Sequence, residues 1–229
     1  MTIIPGRSYQ GQDEFVLEVL GGLREGFFLD SGASNGFNGS NSLLLERHFG
    51  WHGVCVEPNK AMFETLVKYR SCICVNCCLY DREQDVEFLE DAGVYGGIID
   101  EYDPQFLPFA KKHAINEQGK ISTIIKQAKT VRSILRDAHA PKIIDYWSLD
   151  TEGSELAILR SFPFNDYHFR VLTVEHNCSP IREDIRQFLE GKGYVRARDM
   201  GIDDGYVWHE DMQSVRWRGM SRNLFRSRK

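Results

Sequence analysis

Acids that end apolar runs are the first sign of chemistry in this chain. Phe27-Phe-Leu-Asp30 leads into Ser31, Gly32, Ala33, Ser34, Asn35 and Gly36, and Gly53-Val-Cys-Val leads into Glu57, Pro58 and Asn59. Glycine serves where the chain takes positive φ or lets a ligand approach its backbone. Asp30 sits where open α/β sheets bind their ligands, and an acid ending the second strand commonly receives ribose hydroxyls. Together they point to a nucleoside-containing cofactor. A dinucleotide fingerprint would place its second glycine where Ser34 stands. The pattern here is Asp-x-Gly-x-x-x-Gly, which suits a cofactor without a pyrophosphate, such as S-adenosylmethionine. The plain alternative on these two features is a sheet protein with an ordinary Gly-rich turn.

The elements that must hold these residues read as alternating helices and strands. An amphipathic run with Phe15, Val16, Val19 and Leu20 predicts a helix, with Asp13 as its cap. Phe27–Leu29 is the first strand, Leu43 to Phe49 a helix closed by Gly50, and Gly53–Val56 the second strand. Met62, Phe63, Leu66 and Val67 form a helical stripe expected in the core. Cys72–Leu79 reads as one third strand and Asp85–Leu89 as a short one. From Asp91 to Ile125 the periodicity fails among Gly93, Gly96, Gly97, Pro104, Pro108 and Gly119, with Tyr95, Tyr102, Phe106 and Phe109 between them. Such a length without periodicity predicts a functional loop, here an aromatic lid. Helix returns at Thr130–Ala138. Strands at Ile143–Leu149 and Phe169–Val174 end in Asp150-Thr-Glu152 and Glu175-His176. A helix at Ile181–Leu189 and a hairpin of Tyr194–Arg198 with Gly205–His209 close the chain. The fold class expected is α/β: a mainly parallel sheet, helices on both faces, and a terminal antiparallel hairpin.

Composition sets bounds. The 229 residues are 42% hydrophobic and 27% charged with a net charge of -5, so nothing global calls for nucleic acid or an anionic membrane. One domain is expected over 1–229, with 91–125 as a lid or substrate insertion and 216–229 as a basic tail. That tail holds Arg216, Arg218, Arg222, Arg226, Arg228 and Lys229 and no acid; it reads as a solvated end or as a contact for an anionic partner. No stretch has the apolar length of a signal peptide or membrane span, so a cytoplasmic location is expected. Of the cysteines, Cys72, Cys74, Cys77 and Cys78 fall on the expected third strand, whose alternating faces do not converge on one zinc. Buried cytosolic thiols are expected instead.

The sequence resembles the FkbM-type family of S-adenosylmethionine-dependent methyltransferases. The likeness is carried by Ser8-Tyr-Gln-Gly-Gln-Asp-Glu, Phe28-Leu-Asp-Ser-Gly-Ala-Ser-Asn-Gly, Ser40-Asn-Ser-Leu-Leu-Leu-Glu46, Gly50-Trp-His-Gly-Val-Cys-Val-Glu-Pro-Asn, Arg70, Asp150-Thr-Glu-Gly-Ser-Glu and Val174-Glu-His. It spans most of the chain and leaves out 91–125 and the basic tail. It implies a Rossmann-like class I methyltransferase fold, with S-adenosylmethionine held by Asp30 through Gly36, Asn41, Glu57, Pro58, Asn59, Asn76, Cys77, Cys78 and Asp150. The backbone around Gly32–Ser34 would meet the methionine end, Glu57 the ribose, and Asn76–Cys78 the adenine. Methyl transfer to an alcohol requires alignment and a base. Asp150, Glu152, Glu175 and His176 are the candidates, with His176 the most natural near neutral pH. His176 as a structural histidine, and Glu152 as an acid in a helix's first turn, are the alternatives. Asp150 and Glu175 also offer oxygens to a cation, but a hard metal takes more oxygens than these, and no metal is expected. Family members typically methylate a hydroxyl of a sugar or secondary metabolite. A nucleic acid or protein acceptor drawn by the basic tail is the second reading, and a cofactor-binding module without catalysis the third. No Asn-Pro-Pro-Tyr-type amino-methylation motif follows the fourth strand.

Overall fold

The computed structural model describes residues 7–116 and 119–213; the basic tail lies outside them. Helix α1 (Gln12–Val19) is followed by β1 (Phe27–Ser31), α2 (Leu43–Phe49), β2 (His52–Val56), α3 (Lys60–Tyr69), β3 (Ile73–Val75), β4 (Cys78–Leu79) and β5 (Gln84–Leu89). Then come two 3-10 turns (Glu90–Tyr95, Ile99–Glu101), α4 (Leu107–His113), β6 (Thr123–Lys129), α5 (Val131–Asp137), β7 (Ile143–Leu149), α6 (Glu155–Ser161), β8 (His168–Glu175), α7 (Ile181–Gly191), β9 (Tyr194–Met200) and β10 (Asp203–Trp208).

Seven strands form one sheet in the order β3-β2-β1-β7-β8-β10-β9. Pairing is parallel except that β10 runs antiparallel to both β8 and β9. Central strands buried on both faces read as continuous apolar runs, and neighbouring residues serve opposite faces. Phe28 and Tyr146 pack with Phe15, Val16 and Leu45, while Leu29 and Trp147 pack with Ile134, Leu135, Ile158 and Leu189. The expected α/β architecture with its terminal hairpin is therefore what forms.

Four local expectations change. The run 72–79 is not one strand: β3 joins the large sheet and β4 a second sheet of order β4-β6-β5. The chain turns at Asn76, whose side-chain amide donates to the Glu57 carbonyl at 2.7 Å and the Pro58 carbonyl at 3.1 Å. The α3 stripe is only partly core, since Leu66 is buried while Val67 is 46% exposed. Asp13 is not a cap; Gly11 holds that position, and Asp13 accepts from Ser8 Oγ at 2.5 Å. The segment 91–125 contains α4 and the start of β6; Ile98 packs with Cys78, Val86, Phe88 and Ala128, and Ala92, Tyr102, Ala110 and Ala114 form a small core with Leu89. Pro108 stands in the first turn of α4, where a missing N–H costs no hydrogen bond. No helix of the described residues is long and apolar enough to cross a membrane.

Candidate active site

Strand order reverses at β1, whose neighbours β2 and β7 come from different halves of the chain. Parallel sheets open a ligand crevice at such a point. A cleft of about 310 Å³ lies there, over the carboxyl ends of β1, β2, β7 and β8. Gly32 makes the closure possible. Its φ is 81°, and a Cβ on it would stand 1.7 Å from the Asp150 carbonyl oxygen, so any side chain would part the ends of β1 and β7. Three residues lining the cleft take left-handed φ without being glycine: Ser34 at 48°, Glu152 at 58° and Asn177 at 47°. Conformations of this kind cost of order 1–3 kcal/mol each and cluster at functional sites.

Glu57 is 6% exposed at the end of β2. One carboxylate oxygen accepts the Ser34 N–H at 2.7 Å and the other the Asn59 N–H at 2.7 Å. Burial outweighs these bonds and pushes its carboxyl up to about 7. A carboxylate has about four acceptor sites, so each oxygen keeps one lone pair for a ligand. Asp30 lines the same cleft, but its carboxylate accepts from Ser42 Oγ and lies 3.9 Å from the Arg70 guanidinium. Arg70, with a side chain 0% exposed, also pairs with Glu46 and donates to Ser42 Oγ at 2.9 Å. Asp30 is thus tied into an internal ion network.

Of the other cofactor candidates, Gly32, Ala33, Ser34, Asn41, Pro58, Cys78 and Asp150 line the cleft. Ser31, Asn35, Gly36, Asn59, Asn76 and Cys77 stand behind it. Ser31 Oγ accepts from Trp147 Nε1 at 2.9 Å, and Asn35 accepts the N–H groups of Phe37 and Asn38 at 3.0 and 2.9 Å. Asn59 caps α3 by accepting from Met62 N–H at 3.0 Å, and Cys77 packs in the main core. Gly36 sits against Leu66 and Arg70. These residues shape the cleft walls through the backbone.

The carboxyl ends of β7 and β8 bring Asp150, Glu152 and Glu175 together, with one oxygen of each within 4.8 Å of the others. Burial pushes all three carboxyls up, Glu152 to about 8; the charge of Glu152 adds to the effect on Asp150, and those of Asp150 and Glu152 to that on Glu175. The acid in the helix's first turn is not Glu152 but Glu155. Its carboxylate accepts from Thr151 N–H at 2.7 Å, Thr151 Oγ1 at 2.8 Å and Gly153 N–H at 3.0 Å, stapling the loop that presents Glu152. His176 is placed differently. It lines a neighbouring cavity beside Tyr102 and Ser179 instead of the cleft. Its Nδ1 accepts the Cys178 N–H at 3.0 Å, and its Nε2 lies 3.9 Å from Asp204. Burial lowers its pKa.

The cleft also uses residues the sequence did not single out. Tyr9 reaches it by packing on Gly39, Phe88 from β5, Ile202 from the final hairpin, and Thr151, Ser154 and Asn177 from the strand-end loops. Within 91–125, Tyr95 and Phe106 line it.

The strand order, the lone antiparallel β10 and the crevice at the β1–β7 reversal define a Rossmann-like fold of the class I methyltransferase type. The Methyltransferase FkbM domain model matches residues 30–196. The chain belongs to that family of methyltransferases. None of the curated proteins compared with the chain matches it. Similar solved structures include a precorrin-6y C5,15-methyltransferase from Geobacter metallireducens GS-15, at 10% identity over 86% of each chain with a TM-score of 0.47. The N-terminal domain of human METTL16 is similar at 11% identity over 85% of this chain and 67% of that one, with a TM-score of 0.46. M. jannaschii TYW2 in complex with AdoMet matches at 11% identity over 87% and 77%, with a TM-score of 0.39. At these values the likeness is one of overall shape, and nothing about the acceptor follows from it.

Proposed function

We propose that this chain is an S-adenosylmethionine-dependent O-methyltransferase whose acceptor is a hydroxyl of a sugar or other small metabolite. Glu57 is the observation that supports the cofactor most directly. It is a buried carboxylate at the end of β2, oriented by two backbone N–H groups, with a lone pair left on each oxygen toward the cleft. That arrangement fits the two vicinal hydroxyls of a ribose. When bound, the cofactor supplies an activated methyl group. The chain's own residues do the rest: the Gly32–Ser34 turn approaches the ligand without side-chain bulk, Tyr95, Phe88 and Phe106 exclude water, and the strand-end carboxylates take up the acceptor's proton. A hydroxyl acceptor is favoured because the groups nearest the reacting end of the cleft are carboxylates, which accept protons and hydrogen bonds from O–H. Glu175 and Asp150 are proposed as the base in place of His176, which lines the neighbouring cavity and not the cleft.

Calorimetry with S-adenosylhomocysteine tests the cofactor. Glu57→Ala is expected to weaken binding by about 10–100-fold, the loss of charge-assisted bonds worth roughly 1.5–3 kcal/mol. Affinity of the wild type should rise with pH through about 7 as the Glu57 carboxyl ionises, and the variant should lack that rise. The sign for apo stability is opposite. A carboxyl raised from 4.5 to about 7 on folding contributes stability below 4.5 that is lost as pH rises through 7. Binding of NAD with no response to S-adenosylhomocysteine would sink the assignment.

The segment 91–125 is proposed as a lid. Tyr95 stacks edge-on to Phe109 at 5.1 Å and to Phe106 at 6.1 Å, an aromatic cluster of which Tyr95 and Phe106 line the cleft. Hydrogen exchange across Gly93–Ile98 is expected to slow when S-adenosylhomocysteine binds. Equal protection with and without it would mark the segment as fixed wall.

A further inference from the structure

We propose that Asp150, Glu152 and Glu175 form a binding site for one divalent, oxygen-preferring cation, placed so that the acceptor hydroxyl completes its coordination. The role in catalysis rests on the methyl-transfer reading above; the binding of the cation does not.

Two ligand oxygens of one ion cannot be further apart than twice the metal–oxygen distance, about 4.2 Å for Mg²⁺ and about 4.6–5.2 Å for Ca²⁺. The three carboxylates each place an oxygen within 4.8 Å of the others. Three oxygens at that limit lie about 2.8 Å from a common centre, so the set closes on a Ca²⁺-sized ion after a small contraction and on Mg²⁺ after a larger one. Three oxygens leave half of an octahedral shell for water and acceptor hydroxyls, and Glu152 and Glu175 face the cleft from which the acceptor enters.

The second observation is independent of the clustering. Glu175 is 3% exposed, lines the cleft, and its Oε2 has no hydrogen-bond partner. Among the described residues, Glu152 accepts from the Asn177 amide at 3.4 Å, Asp150 and Glu175 hydrogen-bond to each other, and no lysine or arginine forms an ion pair with any of the three. By contrast, the buried acids Asp30 and Glu46 share Arg70, and Asp204 has Arg182 and Arg196. A buried carboxylate left without a donor is costly. Arginine supplies positive charge to those two clusters; here it is missing, and a cation fits the gap.

A hydroxyl bound to such a cation loses its proton more readily. On transfer the O–H bond breaks and an O–CH₃ bond forms. The methyl–sulfur bond breaks with its electron pair remaining on sulfur, and the proton passes to the Glu175 oxygen turned away from the ion.

The test uses full-length protein stripped with chelator and titrated by calorimetry with MnCl₂ and CaCl₂. One site per chain is expected, with Kd of about 1–100 µM, in the range of protein oxygen sites. Glu175→Gln and Asp150→Asn should each weaken it at least ~10-fold, while Glu64→Gln on the exposed face of α3 leaves it unchanged. The side-chain amide introduced by Glu175→Gln can donate to Asp150, so that variant is expected to fold; Glu152→Gln, on the cleft wall, provides a further readout. S-adenosylhomocysteine is titrated into the same stripped protein. If it binds while neither cation is taken up at about 1 mM, the cation site is overturned and the cofactor assignment stands. Cation uptake unaltered in all three carboxylate variants overturns the choice of ligands. Cation uptake without S-adenosylhomocysteine binding supports the site and overturns the function instead.

Discussion

Glu175→Gln is expected to cut methyl transfer by about 10²–10⁴-fold while leaving S-adenosylhomocysteine affinity within about threefold. The substitution keeps the shape of the side chain and removes its ability to accept a proton or hold a cation. Because Glu175 sits at the end of β8, across the cleft from Glu57 at the end of β2, the defect should appear in kcat and not in cofactor binding. His176→Ala is the companion measurement. Its ring is engaged with Cys178 N–H and oriented toward Asp204, so turnover should fall less than about tenfold. A His176→Ala enzyme that loses 10²-fold or more with normal folding, beside a Glu175→Gln enzyme of near-normal rate, would return the base to the histidine.

Arg70→Met is expected to destabilise the protein by about 3–5 kcal/mol, the cost of removing one partner from a buried ion pair. At this chain length about 1 kcal/mol shifts Tm by roughly 2–4 °C, so thermal unfolding should occur about 10 °C lower. Asp30 and Glu46 would keep their burial without the guanidinium that serves both, and Ser40 and Ser42 would lose a donor. Met fills much of the same volume, so the effect reports charge rather than a cavity. Since Asp30 forms part of the cleft wall, cofactor affinity should fall as well. A Tm within about 2 °C of wild type would show that the network contributes little. Arg70 entered the sequence reading as one matching position; its function as the central cation of the network comes from the fold.

Much of the scaffold was legible because it is buried on both faces. The central strands β1, β2, β7 and β8 are dominated by apolar residues and end at acid or glycine, with Asp145 and Arg170 the charged interruptions of β7 and β8, and a run of that kind needs no knowledge of its neighbours to be recognised. The break at Asn76 was not legible. Cys, Val and Leu suit a strand in either sheet, and the turn is made by a side-chain amide bonding carbonyls nearly twenty residues earlier. The α3 stripe erred for a similar reason: helical periodicity shows which residues share a face, not whether anything covers it. In 91–125 glycine and proline interrupted the pattern without abolishing structure, because short elements there are held by contacts to β5 and β6.

The sequence by itself determined that acids stand at four strand ends and that a glycine stands where β1 leaves the sheet. Parallel register then brings those ends to one edge, since Ser31 pairs with both Val56 and Leu149, and Leu149 with Val174. Which side chains face the cleft was decided only in three dimensions. Glu152 and Asn177 turn into it through left-handed backbone, His176 is held away by the Cys178 amide, and Asp30 is taken up by Arg70. The direction of a side chain beyond a strand's end is not set by the strand's two-residue period. It depends on loop dihedrals and on partners distant in the chain, and those exist only once the sheet has formed.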